Sequence, residues 1–390
     1  MLRLSSLILE RDSKSNGSKQ IQNNYETLDF SAKETSGGIP IFLFTFLHWS
    51  GFVEGSDKKA KHRFSSRIFD ILLFLACADV TVSTVINSGN VHQKRIAVYL
   101  SCPIVSALVW FEMRCKRKLI ASLLQNAPVV NSSFYEKVLN FAVFINYFMS
   151  LLVPTILTST VSNPKSLTFF TYGYELKNIC ILRVIAILKD SLYYMLYPCV
   201  PNVVAIFYIY LCWRCSVDLN NLVKDIAQYT PEEFEQSKQL DILKKKAKIC
   251  RDLQSIQTLF SVPMFLILVA NFLMCSSVLG GVLIKVKFAE DDMIFIVYFV
   301  NAILCVITAL WMAGSVPLVL SRFKETFHQT IHERLLYYHV TEKELHLKMD
   351  LFNESDFVLT GCNILPFRRS TILTVIGTLL TYTVLVVSTN

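Results

Sequence analysis

The last twenty residues, Thr371 to Asn390, constrain this chain more than any other stretch. They carry no charged side chain, and at about 1.5 Å per residue they reach about 30 Å, the thickness of a bilayer core. The stretch is not uniformly apolar. Thr371, Thr374, Thr378, Thr381 and Ser388 recur at steps of three, four, three and seven, which puts them on one face of a helix. Leu385 fills the one gap in that row, and Ile, Leu and Val cover most of the remaining circumference. A row of hydroxyls gains nothing by facing lipid. Either the hydroxyls let helices approach closely and bond their own backbone carbonyls, or they line an aqueous pore. In the second reading Leu385 is an apolar constriction that closes by dewetting.

Composition extends the membrane reading to the whole chain. Of 390 residues 53% are hydrophobic and only 17% charged, with mean hydropathy +0.44; soluble domains carry about 25% charged residues. An all-α membrane protein of seven helices follows, with spans at 66–87, 96–114, 138–160, 180–212, 260–284, 293–320 and 371–389. The polar residues 1–36 read as disordered. Residues 37–65 hold a fifteen-residue apolar stretch, too short to span and read as an interfacial helix, and a basic segment. Residues 66–320 contain the first six spans and a cytoplasmic helix at 214–259. Residues 321–370 form a cytoplasmic anchor, and 371–390 the last span.

Lysine and arginine fix the orientation. Nine precede the first span, and five, eight and seven occupy the second, fourth and sixth connections, against two each in the first, third and fifth. The positive-inside rule places the N-terminus in the cytoplasm and the C-terminus outside. The net charge of +8 is explained by this sidedness, and no nucleic-acid partner is expected. A G-protein-coupled receptor has the opposite sidedness, and the chain lacks DRY and NPxxY at the relevant span ends. A secondary transporter would show repeat symmetry and broken spans in both halves, which the sequence does not.

Enzyme chemistry finds no support. There is no Gly-rich phosphate loop, HExxH or GxSxG. The eleven cysteines show no zinc spacing, although Cys102 and Cys180 both fall near the outer face and could pair. His328 and His332, four apart, lack a third metal ligand. No cofactor is expected. On the cytoplasmic side, Thr230-Pro231-Glu232-Glu233 and Thr341–Glu344 read as helix starts. Ile242, Ile249, Leu253, Ile256 and Phe260 form a seam that meets neighbouring subunits or the rest of its own chain.

The segment LTGCNILPFRRSTILTVIGTLLTYTVLVVST, 359–389, resembles the C-terminal signature of insect gustatory receptors. In that family a hydrophobic-Cys segment leads to a last span ending Thr-Tyr, five apolar residues, then usually Gln. Here Thr381 and Tyr382 match and residues 383–387 fill the five positions, one of them polar. Ser388 stands where Gln is usual and Thr389 follows; Arg368 and Arg369 stand where an acid is common. The resemblance implies a tastant-gated, non-selective cation channel, a homotetramer or a heteromer with related receptors, in the plasma membrane of chemosensory neurons. It implies pore positions at Leu385, Ser388 and Thr389, which join Thr378 and Thr381 of the hydroxyl row. A small-molecule pocket would lie among the outer halves of spans two to six. Tyr99, Ser101, Tyr147, Asp190, Tyr193, Tyr194, Tyr298 and Asn301 are the polar and aromatic candidates there, although aromatic packing or interface anchoring explains many such residues. Tyrosine-rich spans favour bitter or plant secondary compounds over sugars, and an odorant receptor subunit is the related alternative.

Asp79, Lys189 and Asp190 are intramembrane charges. Each marks a functional site, or the fourth span begins outside the bilayer and leaves Lys189 and Asp190 at the interface. The charge count makes one direct prediction. An epitope tag after Asn390 is reached by antibody on intact cells, and a tag before Met1 only after permeabilisation; the reverse pattern refutes the orientation.

Overall fold

A computed structural model of the chain describes residues 40–53, 60–86, 93–125, 133–161, 164–284, 292–337, 348–349 and 356–388. The helices in order are α1 (Ile41–Trp49), α2 (Ala60–Ile86), α3 (Gln93–Cys115), α4 (Arg117–Gln125) and α5 (Ser133–Thr160). They continue with α6 (Ile179–Tyr194), α7 (Val200–Gln228), α8 (Gln236–Ile284), α9 (Asp292–Ala313), α10 (Ser315–Tyr337) and α11 (Arg369–Ser388). The fold is all-α, and every predicted span falls on a helix. Five described helical stretches are long and apolar enough to cross a membrane on length and composition: Ser66–Ile86, Phe134–Thr160, Ile179–Gln228, Gln236–Gly280 and Ile296–Tyr337. The predicted second and seventh spans are α3 and α11, the latter apolar over Arg369–Leu385.

Helix α1 falls within the apolar stretch at residues 39–53. It buries Leu43, Phe46 and Leu47 while Ile41, Phe42 and Trp49 remain exposed. Asn140 on α5 accepts the Phe42 N–H at 3.0 Å, satisfying one of the donors a helix start leaves open.

The fourth span is broken. Tyr197 leaves helical geometry, with φ −140° and ψ 123°, between α6 and α7. Pro198 is the cause: it has no N–H to donate, and its ring pushes the preceding residue out of the helical region. Within a membrane such a break is tolerated where protein surrounds it, and Leu196, Tyr197, Pro198 and Cys199 are all buried.

Helix α8 runs unbroken for 49 residues, about 70 Å; the helix expected at 214–259 is divided, its first part ending α7 at Gln228 and its part from Gln236 running on into the fifth span. Helix α8 begins later than its sequence signal. Thr230 and Glu233 make the reciprocal capping bonds, each 3.3 Å, but enclose a single turn. Phe234 then turns inward to full burial, edge-on to Phe327 at 5.5 Å, and the helix proper starts at Gln236. The second capping signal, Thr341–Glu344, lies outside the described residues.

The seam on α8 packs inside its own chain. Ile242, Ile249, Leu253, Ile256 and Phe260 are buried in one core with Leu219, Leu222 and Ile226 of α7 and Phe323, Phe327 and Ile331 of α10. Of the two partners open to the seam, intrachain packing is the one observed. Cys102 is buried and Cys180 exposed, and both are free thiols, so the pair does not form.

A two-stranded turn, β1 (Thr360–Gly361) against β2 (Leu365–Pro366), precedes α11 and docks on α8. The Gln257 amide donates to the Thr360 carbonyl at 2.9 Å and accepts the Thr360 N–H at 2.8 Å. One turn along, Ser261 Oγ accepts the Cys362 N–H at 2.9 Å. The fold therefore sets α11 against α8 and α9 from a fixed starting point.

Candidate functional site

At the break in the fourth span, the apolar interior contains a connected set of amides. Asn146 on α5 donates to the Cys199 carbonyl at 3.1 Å, closing a backbone group beside the break. Asn202, in the first turn of α7, donates to Asn146 Oδ1 at 2.9 Å and to Asn301 Oδ1 on α9 at 2.8 Å. Tyr197 donates to Asn271 Oδ1 on α8 at 3.1 Å. Aromatic rings cover one side: Tyr298 on α9 lies tilted 5.4 Å from Tyr194 and stacks 6.2 Å from Tyr197.

The set is not saturated. Asn202 Oδ1, Asn301 Nδ2 and the Tyr147 hydroxyl are buried with no hydrogen-bond partner among the described residues. Each such atom costs about 1–3 kcal/mol when left unmade. A small molecule carrying one or two polar groups and an apolar body would relieve that cost, as ligand sites generally do with a few placed polar groups in an apolar wall.

Four sequence candidates converge here or line it: Tyr147, Tyr194, Tyr298 and Asn301. Asp190 is half-buried one turn before Tyr194, and Ser101 is half-buried beside Cys102, which packs with Tyr197. Tyr193 points elsewhere, donating to Asp79 on α2. The Tyr99 side chain lies outside the described residues. Asn146, Tyr197, Asn202 and Asn271 complete the cluster and were not singled out from sequence. Their signal was present, since amides within apolar spans need partners from other spans.

The cluster is one layer away from α11. Asn271 also lines a gap of about 30 Å³ with Val375 and Leu379 of α11. Leu379 is buried against Cys275, one turn beyond Asn271, and Ala302, next to Asn301. Thus α8 and α9 present amides to the site and apolar side chains to α11.

Helix α11 has three faces. Ile372, Val375, Leu379 and Thr383 are buried or half-buried toward α8 and α9. Leu373, Leu380 and Val384 form an exposed apolar face, at 73%, 60% and 68%. Thr374, Thr378, Thr381 and Leu385 are also exposed, about 140° round from the packed face. The hydroxyls of Thr374, Thr378 and Thr381 bond back to the carbonyl four residues earlier, so none is used to pack on another helix of this chain. Tyr382 is exposed at 40%. Ser388 ends the helix with its side chain outside the described residues, and Thr389 lies outside them altogether.

Solved structures with this fold include two of one receptor. The insect olfactory receptor OR5 from Machilis hrabei superimposes with a TM-score of 0.65 at 14% identity, covering 90% of this chain and 97% of that one. The same receptor in complex with eugenol gives 0.66 at 14% identity and the same coverage. The chain has the fold of an insect olfactory receptor. No protein-family profile matches it, and no curated protein sequence does. At this identity the likeness carries the fold, and the seven-helix expectation agrees with it.

The amide set can be tested by stability. Asn202→Leu strips the donor from Asn146 and Asn301 and lowers the thermal midpoint. Asn202→Leu with Asn301→Leu removes one of the stranded partners, so it should lose less than the sum of the two single variants. Losses that simply add would contradict the network.

Proposed function

We propose that this chain is one subunit of a ligand-gated, non-selective cation channel of the gustatory kind, in the plasma membrane of chemosensory neurons. The observation that carries the reading is the hydroxyl face of α11, exposed in the single chain and turned away from its packed face. One helix cannot enclose a pore. Several copies around an axis would bring their hydroxyl faces together and cover the neighbouring apolar face, and a homotetramer, or a heteromer with related receptors, is the assembly proposed. Leu385 then forms an apolar ring across a polar wall, from which water withdraws when the hole is narrow.

The ligand proposed is a small tastant held at the amide cluster beside the broken fourth span. Binding favours whichever arrangement of α8 and α9 satisfies the stranded amide groups, and α11 follows because Leu379 is wedged against both helices. Ligand can shift this equilibrium only by its difference in affinity for the two arrangements. The start of α11 is fastened by Gln257, so the movement concentrates at the Leu385 end. Aromatic rings with few polar atoms suit bitter or plant secondary compounds better than sugars, whose hydroxyls need many partners. The Thr381-Tyr382 signature supports taste. The fold likeness to an olfactory receptor supports an odorant receptor subunit as the second reading, and screening with tastants and volatile odorants in the same cells separates them.

Leu385→Ser makes the exposed row hydroxyl-bearing at its constriction and should raise basal cation current several-fold while shrinking the fold response to ligand. Val384→Ser, on the apolar face, should leave basal current near wild type. Unchanged basal current in Leu385→Ser at normal surface expression would remove Leu385 from the gate.

A further inference from the structure

A second polar cluster lies away from the amide site, where α2, α6 and the connection before α6 meet. Lys189 Nζ is 2.7 Å from Asp79 Oδ1 and 3.8 Å above the Tyr172 ring. The Tyr172 and Tyr193 hydroxyls both donate to the Asp79 carboxylate. These groups form the floor of a cleft of about 370 Å³ whose apolar wall includes Leu75, Val82 and Leu192.

The cleft opens sideways. Leu75 and Val82 at its rim are 54% and 46% exposed, in a run of exposed apolar residues along α2 that suits lipid. Helix α11 packs on α8 and α9, so the cleft on α2 and α6 lies away from the main supports of the helix proposed to line the pore. Asp79 is nearer the Ile86 end of its span than the Ser66 end, which the charge count puts in the outer leaflet. A charged pair at that depth is costly unless it is paired, wet or used.

The chemistry of the floor selects the occupant. Asp79 and Lys189 cancel, so the site is neutral. The carboxylate already accepts from three donors, leaving little for an incoming amine, and it would repel an incoming anion. Lys189 has three N–H donors, of which one meets Asp79 and the Tyr172 face takes another, so one is left for an acceptor oxygen. The volume falls in the range of small-molecule pockets, about 300–1,000 Å³. We propose that this cleft is a binding site, entered from the outer leaflet, for an uncharged amphiphile that carries a hydroxyl or ester oxygen on an apolar chain. The Lys189 ammonium takes the oxygen and the Leu75–Val82 wall takes the chain. Such an oxygen belongs equally to a free medium-chain alcohol or ester and to the ester groups of a bilayer lipid.

The test uses the full chain in phosphatidylcholine nanodiscs, photolabelled with a diazirine-bearing octanol and mapped by mass spectrometry. Adducts should concentrate on the peptides holding Leu75–Val82 and Lys189–Tyr193. Leu75→Trp, which fills the cleft from its exposed rim, should cut that labelling several-fold and leave labelling elsewhere unchanged. Val82→Trp is the second variant should the first fail to fold, and Lys189→Met should weaken labelling by removing the donor. Competition by unlabelled octanol alone supports the site with a free amphiphile as occupant, and competition by added short-chain phosphatidylcholine supports it with lipid as occupant. Labelling of these peptides at the rate of other lipid-facing helices, or labelling indifferent to both tryptophans, overturns the proposal. No current is measured, so the outcome is independent of the channel reading.

Discussion

The amide of Gln257 holds the last helix to the rest of the molecule. It both donates to and accepts from Thr360, and Ser261 one turn later takes the next free N–H of the hairpin. Two glycines make the approach possible. A Cβ on Gly361 would sit 2.9 Å from Phe367 Cζ and 3.1 Å from Phe265 Cβ, and one on Gly314 would sit 2.7 Å from the Arg369 backbone nitrogen. Arg369 then lies 4.2 Å over the Trp311 ring, a cation–π contact that adds to the hold on the start of the helix. With its origin fixed this way, α11 can lean only on α8 and α9. The same two helices carry the Asn271 and Asn301 side of the amide cluster.

Polar groups inside an apolar chain must find partners within the protein, and this governs where irregular structure occurs. The break at Tyr197 survives because Asn146 reaches the Cys199 carbonyl and Asn202 links Asn146 to Asn301. The Asp79–Lys189 pair survives because two tyrosine hydroxyls complete the carboxylate's bonds. Both clusters use tyrosines that the sequence offered as one set. Tyr194 turns to the amides and Tyr193, its neighbour, to the ion pair, since successive residues of a helix point about 100° apart.

Long apolar runs made the helices legible. The hydroxyl row of α11 was legible too, because a period of three and four needs no tertiary knowledge; the exposure of Thr374, Thr378, Thr381 and Leu385 agrees with it, while Thr371, the first of the row, is buried and donates to the Pro366 carbonyl. The amide cluster was only partly visible. Asn301 and three tyrosines could be named singly, but the grouping depends on which spans adjoin and on the turn that Pro198 imposes. The α8 seam showed its periodicity and not its partner, because apolar matching reads the same within a chain and between chains. Thr230-Pro231-Glu232-Glu233 was read as a helix start; its capping bonds form, but Phe234 turns inward to burial and the helix starts six residues on.

The central claim is that the hydroxyl face of α11 meets water in the conducting state while its apolar face does not. Cysteine substitution with a cationic, membrane-impermeant thiol reagent tests this on ligand-evoked current. Thr378→Cys and Thr381→Cys should lose current on modification, at a rate that rises when ligand is present, while Leu380→Cys and Val384→Cys should be unaffected. Modification with equal effect at all four positions, or at Leu380 and Val384 alone, would contradict a pore lined by this face.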